Sequence, residues 1–178
     1  MLEKYNIDIR KKVFRIGISL RTLDTYSNRV IVTFLGKVLS PLLRKYKDAL
    51  EIIFVPFGYG STPDSFLIMI LLANLLKAEL DFENFKIIRE EFHPRVVLTL
   101  FKIFDIFIGE RFHSIISAIL IGVPIIAIVY DIKIKEFLKR YDNRYILEKV
   151  YCNDIESARV HKIRSIIESV IKRKIISQ

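Results

Sequence analysis

The sequence contains a single cysteine, Cys152, in 178 residues. One thiol cannot form an intrachain disulfide or a cysteine-based zinc cluster, so both of these ways of stabilising a fold within one chain are excluded. No activating partner for Cys152 is evident in the sequence, and we expect this residue to be structural. A chain with so little cysteine fits a reducing compartment, and we expect the protein to be cytoplasmic.

Long apolar runs are also missing. The longest apolar stretch, residues 115–130, is interrupted by Gly122 and Pro124, whereas a membrane span needs roughly 20 predominantly apolar residues. The first residues lack the apolar core of a signal peptide. We therefore expect no transmembrane segment, while the many Lys and Arg residues near the C-terminal end leave peripheral membrane contact open.

Acidic residues are fewer than basic ones, 20 against 29, which gives a formal net charge of +9. This balance favours anionic ligands, nucleic acid or an acidic surface, or it reflects a solvated basic exterior. The 52% of apolar residues and 28% of charged residues are typical of a globular chain. We find no internal repeat, low-complexity segment or dividing linker, and we predict a lead-in segment over residues 1–12 and one domain over residues 13–178.

Short apolar runs alternate with segments of helical periodicity along the whole domain. The predicted strands span residues 13–20, 51–55, 85–89, 106–109, 124–130 and 146–151, and the predicted helices span residues 28–47, 65–78, 94–104, 112–121, 132–141 and 154–174. We expect Ser27, His93 and Asp154 to cap helices and Pro41 to kink or split the first one. Such alternation predicts an α/β fold: a single Rossmann-like three-layer domain with a mainly parallel sheet of about six strands and right-handed crossovers.

Charged residues collect where the predicted strands end, and ligands of parallel sheets bind at these carboxyl ends. The candidate residues are Arg21, Asp64, Glu110, Arg111, His113, Asp131 and Lys133. Arg111 suits phosphate or carboxylate because a guanidinium forms paired hydrogen bonds with either group, and His113 could hold or transfer a proton near neutral pH. For Arg21 and Asp131 an alternative to ligand binding stays open: these side chains pair with neighbouring residues or cap helices.

Other signals are weaker. Gly58-Tyr59-Gly60 is not a phosphate-loop signature because no Gly-Lys-Ser/Thr follows, and a turn is the simpler interpretation. His161 is predicted to lie on a polar helix face in solvent. No metal-ligand cluster is evident, and we predict no metal site.

The order of motifs resembles the C-terminal half of the polysaccharide pyruvyl transferase family. The matching segments are the strand ending in Arg111-Phe112-His113, the turn Gly122-Val123-Pro124 and the ending Tyr130-Asp131-Ile132-Lys133, together with Ser19-Leu20-Arg21 and Asp64. The resemblance covers about residues 13–150. It implies one half of a two-domain architecture like that of the GT-B glycosyltransferases, with the N-terminal half missing.

The resemblance also implies a reaction, namely transfer of a pyruvyl group from phosphoenolpyruvate to two hydroxyls of a sugar or glycan acceptor, without a cofactor. It implies catalytic roles for His113 and Arg111. Substrate-binding roles fall to Arg21, Asp64, Glu110, Asp131 and Lys133. We expect no nucleic acid among the partners.

Three interpretations stay open. The chain is a half-enzyme that needs a separate N-terminal half, a non-catalytic anion-binding or assembly module of the same fold, or a GT-B nucleotide-sugar enzyme domain. An apolar stripe runs along the last helix through Val160, Ile163, Ile167 and Val170. One side should rest on the sheet, and any apolar surface left over favours association, either as a homodimer or with the missing half, while a closed monomer stays the alternative.

Overall fold

Six parallel strands make one sheet in the order β3-β2-β1-β4-β5-β6. The computed structural model describes residues 2–22, 24–57, 64–80, 83–90, 93–141, 144–152 and 157–176. The strands are β1 (Phe14–Ser19), β2 (Leu50–Phe54), β3 (Phe85–Ile87), β4 (Ile106–Gly109), β5 (Ile125–Val129) and β6 (Ile146–Tyr151). The helices are α1 (Thr25–Tyr46), α2 (Asp64–Leu80), α3 (Pro94–Phe101), α4 (Phe112–Ile121), α5 (Ile132–Arg140) and α6 (Ser157–Ile176).

Helices cover both faces of this sheet. One buried cluster joins the sheet to α1, α2 and α6, and a second cluster joins its other face to α3, α4 and α5. Every residue of β1, β2, β4 and β5 is buried, whereas the edge strands β3 and β6 are mostly half-buried. Burial on both faces explains why the inner strands are continuous apolar runs without alternation. The predicted three-layer α/β fold is confirmed.

The first helix differs from its prediction in two ways. Its N-cap is Asp24, not Ser27: the Asp24 carboxylate accepts hydrogen bonds from the backbone N and the Oγ of Ser27. A carboxylate at this position also complements the positive end of the helix dipole. The helix is not split at Pro41 either, and it continues for 22 residues to Tyr46.

Pro41 is tolerated because a neighbouring helix replaces the hydrogen bond that proline cannot make. Proline has no N–H to offer the carbonyl four residues earlier, which here is that of Lys37. Arg164 of α6 donates from Nη2 to this carbonyl oxygen at 2.7 Å. The Lys37 carbonyl therefore keeps a partner, and α1 is tied to α6 at the same point.

Other boundaries move by a few residues. His93 caps α3 as predicted, accepting from the backbone N of Arg95. This helix ends at Phe101, earlier than predicted, because the amides of residues 102–104 bond to carbonyls three residues back and close a tighter turn. Asp154, the predicted cap of α6, lies outside the described residues. In the predicted lead-in segment, residues Leu2–Tyr5 form a 3₁₀ helix and Ile7 is buried.

Buried charges are paired at the amino edge of the sheet. Arg15 donates from Nε to Glu51 at 2.8 Å, and both side chains are almost fully buried. Asp105 accepts from the backbone N of Arg15 and from Nζ of Lys174, which also donates to the carbonyl of Val13. These contacts hold the end of α6 against the start of β1.

The contact between Arg164 and the Lys37 carbonyl is testable by a double-mutant cycle. Arg164→Met should lower the free energy of unfolding by about 0.5–1.5 kcal/mol, because it removes the hydrogen bond to that carbonyl. In a Pro41→Ala background the new N–H satisfies the carbonyl, so the same substitution should cost clearly less. Urea unfolding of the four proteins measures the coupling. Equal costs in the two backgrounds would show that Arg164 does not compensate for the proline.

Candidate functional site at the carboxyl edge of the sheet

The strand order reverses between β1 and β4, and this places the ends of two central strands side by side. From β1 the sheet continues to β2 and β3, and from β4 it continues to β5 and β6. Ser19 at the end of β1 is in register with Gly109 at the end of β4. A reversal of this kind opens a crevice at the carboxyl edge of the sheet, where open α/β sheets bind their ligands.

Arg21 and Glu110 meet at this crevice. The backbone N of Glu110 donates to the carbonyl of Ser19 at 2.9 Å, which extends the β1–β4 ladder by one step. In return, the backbone N of Arg21 donates to Oε2 of Glu110 at 2.8 Å. The Glu110 side chain therefore fixes the path of the chain where it leaves β1.

The Arg21 side chain crosses the end of β4 to reach Tyr130, the residue that follows β5. Its Nη1 donates to the Tyr130 hydroxyl at 2.8 Å, and the guanidinium carbon lies 5.0 Å from the centre of the ring. Three neighbouring strand ends are thus connected through one arginine. Tyr130 was not among the predicted site residues, although it begins the Tyr-Asp-x-Lys segment that follows a strand.

Glu110 lies below the crevice surface and is fully buried. Within the described residues its Oε1 has no hydrogen-bond partner, and neither does the buried Oγ of Ser19. Burial raises the pKa of the Glu110 carboxyl to about 7, against the opposing influence of the Arg21 amide and the charges of Arg111 and Arg21. The carboxyl is therefore held near the midpoint of its titration at neutral pH.

Cys152 follows β6 and is half-buried. Burial, with a smaller contribution from the nearby Glu110 charge, raises the pKa of its thiol to about 11. The thiol stays protonated at neutral pH, which fits the structural role predicted for it.

Arg111 and His113 lie at the start of α4. Arg111 is the N-cap residue, but its side chain makes no capping hydrogen bond, so the amides of the first turn are left to other partners. Arg111 is half-buried and His113 is exposed, with its ring 5.9 Å from that of Phe112. A cation beside the free amides of a helix N-terminus is a suitable arrangement for an anion.

Asp131 and Lys133 lie on the next connection of the same edge. Asp131 caps α5, and its Oδ1 accepts from the backbone N of Ile134 at 2.9 Å. Of the two roles predicted for Asp131, helix capping is therefore the one that the structure shows. Lys133 is exposed in the first turn of α5. Asp64 is the first residue of α2, but its side chain lies outside the described part. The fold therefore brings Arg21, Arg111, His113 and Lys133 to one edge, and their roles stay predictions.

No helix among the described residues is long and apolar enough to cross a bilayer. In the same part of the chain, no group of three or more His, Cys, Asp or Glu side chains is arranged to hold a metal ion.

Solved structures with the same fold are domains of GT-B glycosyltransferases. A glycosyltransferase from Rickettsia africae ESF-5 is 20% identical with a TM-score of 0.56, covering 97% of this chain and 43% of that one. The C-terminal CMP-Kdo binding domain of WaaA from Acinetobacter baumannii is 10% identical with a TM-score of 0.52, covering 96% of this chain and 93% of that domain. A trehalose-6-phosphate structure from E. coli bound with UDP-2-fluoro glucose is 10% identical with a TM-score of 0.54, covering 99% and 43%.

At these identities the likeness establishes a GT-B-type Rossmann-like fold, and the chain spans about two-fifths of the length of two of these proteins. The family is established by sequence. The family model for polysaccharide pyruvyl transferases matches residues 17–132, more than half of the chain. The chain therefore belongs to the polysaccharide pyruvyl transferase family. No curated protein matches the sequence significantly.

The Glu110 carboxyl should make stability depend on pH. Its pKa is raised from 4.5 to about 7 on folding, so the unfolded chain ionises first, and the free energy of unfolding should fall as pH rises through this window. The loss is on the order of 3 kcal/mol at most. Glu110→Gln keeps an acceptor for the Arg21 amide but cannot ionise. The variant should lack this part of the slope and be more stable than the natural protein at pH 8.

Urea unfolding at several pH values between 4.5 and 8 measures the difference between the two proteins. Other titrating groups contribute equally to both and cancel. Parallel stability curves for the natural protein and Glu110→Gln would rule out the raised pKa.

Proposed function

We propose that the crevice between β1 and β4 is the donor site of a pyruvyl transferase and binds phosphoenolpyruvate. The observation that carries the proposal is the convergence of Arg21 and the Arg111-Phe112-His113 segment on the edge where the strand order reverses. Both lie inside the segment that matches the family, residues 17–132. Lys133 lies one residue beyond that segment and adds a third cation to the same edge.

The chemistry of the donor suits this set of residues. Phosphoenolpyruvate carries a phosphate and a carboxylate, so its site needs more than one cation. Arg111 can bind either group with paired hydrogen bonds, and the amides of α4 face the same place. Arg21 is held in position by Tyr130 and Glu110. Charge that develops on the departing phosphate would be stabilised by the same preorganised donors.

The proton must reach the methylene carbon of the donor. In the complete reaction, one hydroxyl proton of the acceptor ends on this carbon, which becomes a methyl group, and the other leaves with the phosphate. The two acceptor oxygens then both bond to the central carbon as a cyclic ketal. We propose that His113 donates the proton to the methylene carbon and is then protonated again by an acceptor hydroxyl. Its exposure at the crevice rim leaves it accessible to a bound donor.

The acceptor sugar would need surface beyond this domain. The chain spans about two-fifths of the length of two-domain structures that share its fold. We propose that a second half completes the acceptor site, either as a separately encoded N-terminal half or as a second copy of this chain. A non-catalytic anion-binding module remains the alternative if no second half restores turnover.

A nucleotide-sugar transferase is the second candidate. The observation that favours it is the likeness to a CMP-Kdo binding domain and to a structure bound with UDP-2-fluoro glucose. A nucleotide-sugar also offers phosphates to a helix N-terminus. The two candidates differ in the donor, since only the second has a nucleoside that the site must also bind.

Calorimetric titration separates these candidates. Phosphoenolpyruvate should bind more tightly than UDP-glucose or CMP, and Arg111→Ala should weaken binding by about tenfold or more. Arg111→Lys should weaken it less, because the charge stays while the paired geometry is lost. Arg173→Ala is the matched control, because it removes an equal charge from the last turn of α6, close to the amino edge of the sheet.

Tighter binding of a nucleotide-sugar than of phosphoenolpyruvate would favour the second candidate. Equal affinities for the natural protein, Arg111→Ala and Arg173→Ala would remove Arg111 from the site.

This chain alone should release little or no phosphate from phosphoenolpyruvate in the presence of sugar acceptors, because we propose that a second half is needed to complete the acceptor site. Addition of a matching N-terminal half should restore acceptor-dependent release, and His113→Ala should abolish it while leaving donor binding nearly unchanged. A phosphate-release assay with and without acceptor measures this. Steady acceptor-dependent release by the chain alone would contradict the requirement for a second half.

A further inference from the structure

The helix layer formed by α1, α2 and α6 has an unusual outer face. Helix α1 packs against both α2 and α6, and all three share one buried cluster on the same side of the sheet. Their solvent-exposed faces therefore point the same way, away from the sheet. We call this surface the outer helix face and define it by the exposed residues Arg29, Lys37, Arg44, Leu67, Ile70 and Leu71.

The centre of the outer helix face is basic. Arg29, Lys37 and Arg44 recur about every two turns along the exposed side of α1. They line a groove of about 950 Å³ between α1 and α6, together with His161 and Arg164. None of the ion pairs formed within the described residues involves Arg29, Lys37 or Arg44. A row of cations that takes part in none of these ion pairs suits an extended anionic surface.

The α2 side of the same face is apolar. Residues 65–76 contain no charged side chain, and Leu67, Ile70 and Leu71 are exposed at 53%, 37% and 45%. Their spacing puts them on one side of the helix. Leu75, one turn after Leu71, lines the basic groove and packs at Gly36 of α1. The apolar row and the basic row are therefore adjacent.

We propose that the outer helix face docks on the surface of an anionic lipid bilayer. Interfacial helices bury apolar side chains at the boundary of the acyl chains while Lys and Arg meet anionic headgroups. Tyr26, exposed at 78% at the start of α1, adds an aromatic side chain of the kind that occurs at this boundary.

Other occupants fit this combination less well. A small soluble anion would use the cations but has no use for three exposed aliphatic side chains beside them. A protein partner favours an interface whose fully buried centre is depleted of charged residues, whereas here three cations occupy the middle of the face. Of the apolar stripe on α6, Val160, Ile163 and Ile167 are buried in the protein's own core and Val170 is half-buried, so association through this stripe stays a prediction.

Vesicle co-sedimentation tests the proposal. The full chain should bind vesicles of phosphatidylglycerol and phosphatidylcholine at least tenfold more tightly than vesicles of phosphatidylcholine alone. Replacing Arg29, Lys37 and Arg44 by Gln should weaken binding to the anionic vesicles by at least tenfold, since each cation near such a surface contributes separately. The control replaces Arg95, Lys102 and Arg140 by Gln, which removes the same charge from exposed positions on and beside the opposite layer and should change binding little.

The apolar row has its own matched pair. Leu67→Ser should weaken vesicle binding severalfold, whereas Leu120→Ser, at a leucine of α4 that is at least as exposed, should not. None of the substituted residues is among the predicted site residues, so phosphoenolpyruvate binding should be unchanged in all four variants. A failure of the membrane proposal would change only vesicle binding, so it can be distinguished from a failure of the proposed donor site, which phosphoenolpyruvate binding measures.

Three outcomes would overturn docking on a bilayer. The first is equal loss of binding in the two triple variants, which would show attraction by net charge alone. The second is displacement from vesicles by millimolar inorganic phosphate at constant ionic strength, which would indicate a small-anion site. The third is a dimer in light scattering that Leu67→Ser dissociates, with vesicle binding unaffected, which would assign the apolar row to a second copy of the chain.

Discussion

Parallel pairing of β1 with β4 is the constraint on which the rest of the structure depends. It fixes the reversal of strand order, and the reversal turns the chain away from the sheet in opposite directions after Ser19 and Gly109. Because both sheet faces are covered by helices, charged groups that follow or precede the inner strands reach solvent at the two edges. The amino edge uses its charges to pair Arg15 with Glu51. The carboxyl edge presents cations to solvent and is therefore the edge suited to chemistry.

Much of the fold could be predicted from the sequence because buried parallel strands leave a distinctive pattern. The bounds of β4, α4 and β6 agree with the predicted segments, and glycines mark two of their ends: Gly109 closes β4 and Gly122 caps α4. Pro41 misled the prediction because its compensation comes from Arg164, a residue 127 positions further along from the carbonyl that it satisfies. A local sequence pattern cannot show a contact between residues so far apart in the chain. The strand order could not be predicted for the same reason, because it depends on which distant segments pair.

For the candidate site, the positions of the residues could be predicted from the sequence, but their contacts could not. Position after a buried strand was enough to bring Arg21, Arg111 and His113 to one edge. Sequence position could not show that Glu110 would point below the surface, where it accepts a backbone amide. Nor could it show that Arg21 would reach Tyr130, which is 109 residues away in the chain. These two contacts are made across strands, so they became visible only once the strand order was known.

The same strand order has a consequence for how the chain is made. β1 pairs on one side with β2, which follows soon in the chain. Its other neighbour, β4, begins directly after Asp105, which lies 90 residues after Arg15. During synthesis, at roughly 5–20 residues per second, the second edge of β1 waits on the order of 5–20 s for β4 to emerge. Until then β1, β2 and β3 can form only a small sheet. Its exposed edge on the β4 side is β1, which is apolar except for Arg15 and Ser19. An unpaired edge of this kind recruits other strands, so the nascent chain would be most prone to aggregate, and most in need of a chaperone, in that interval.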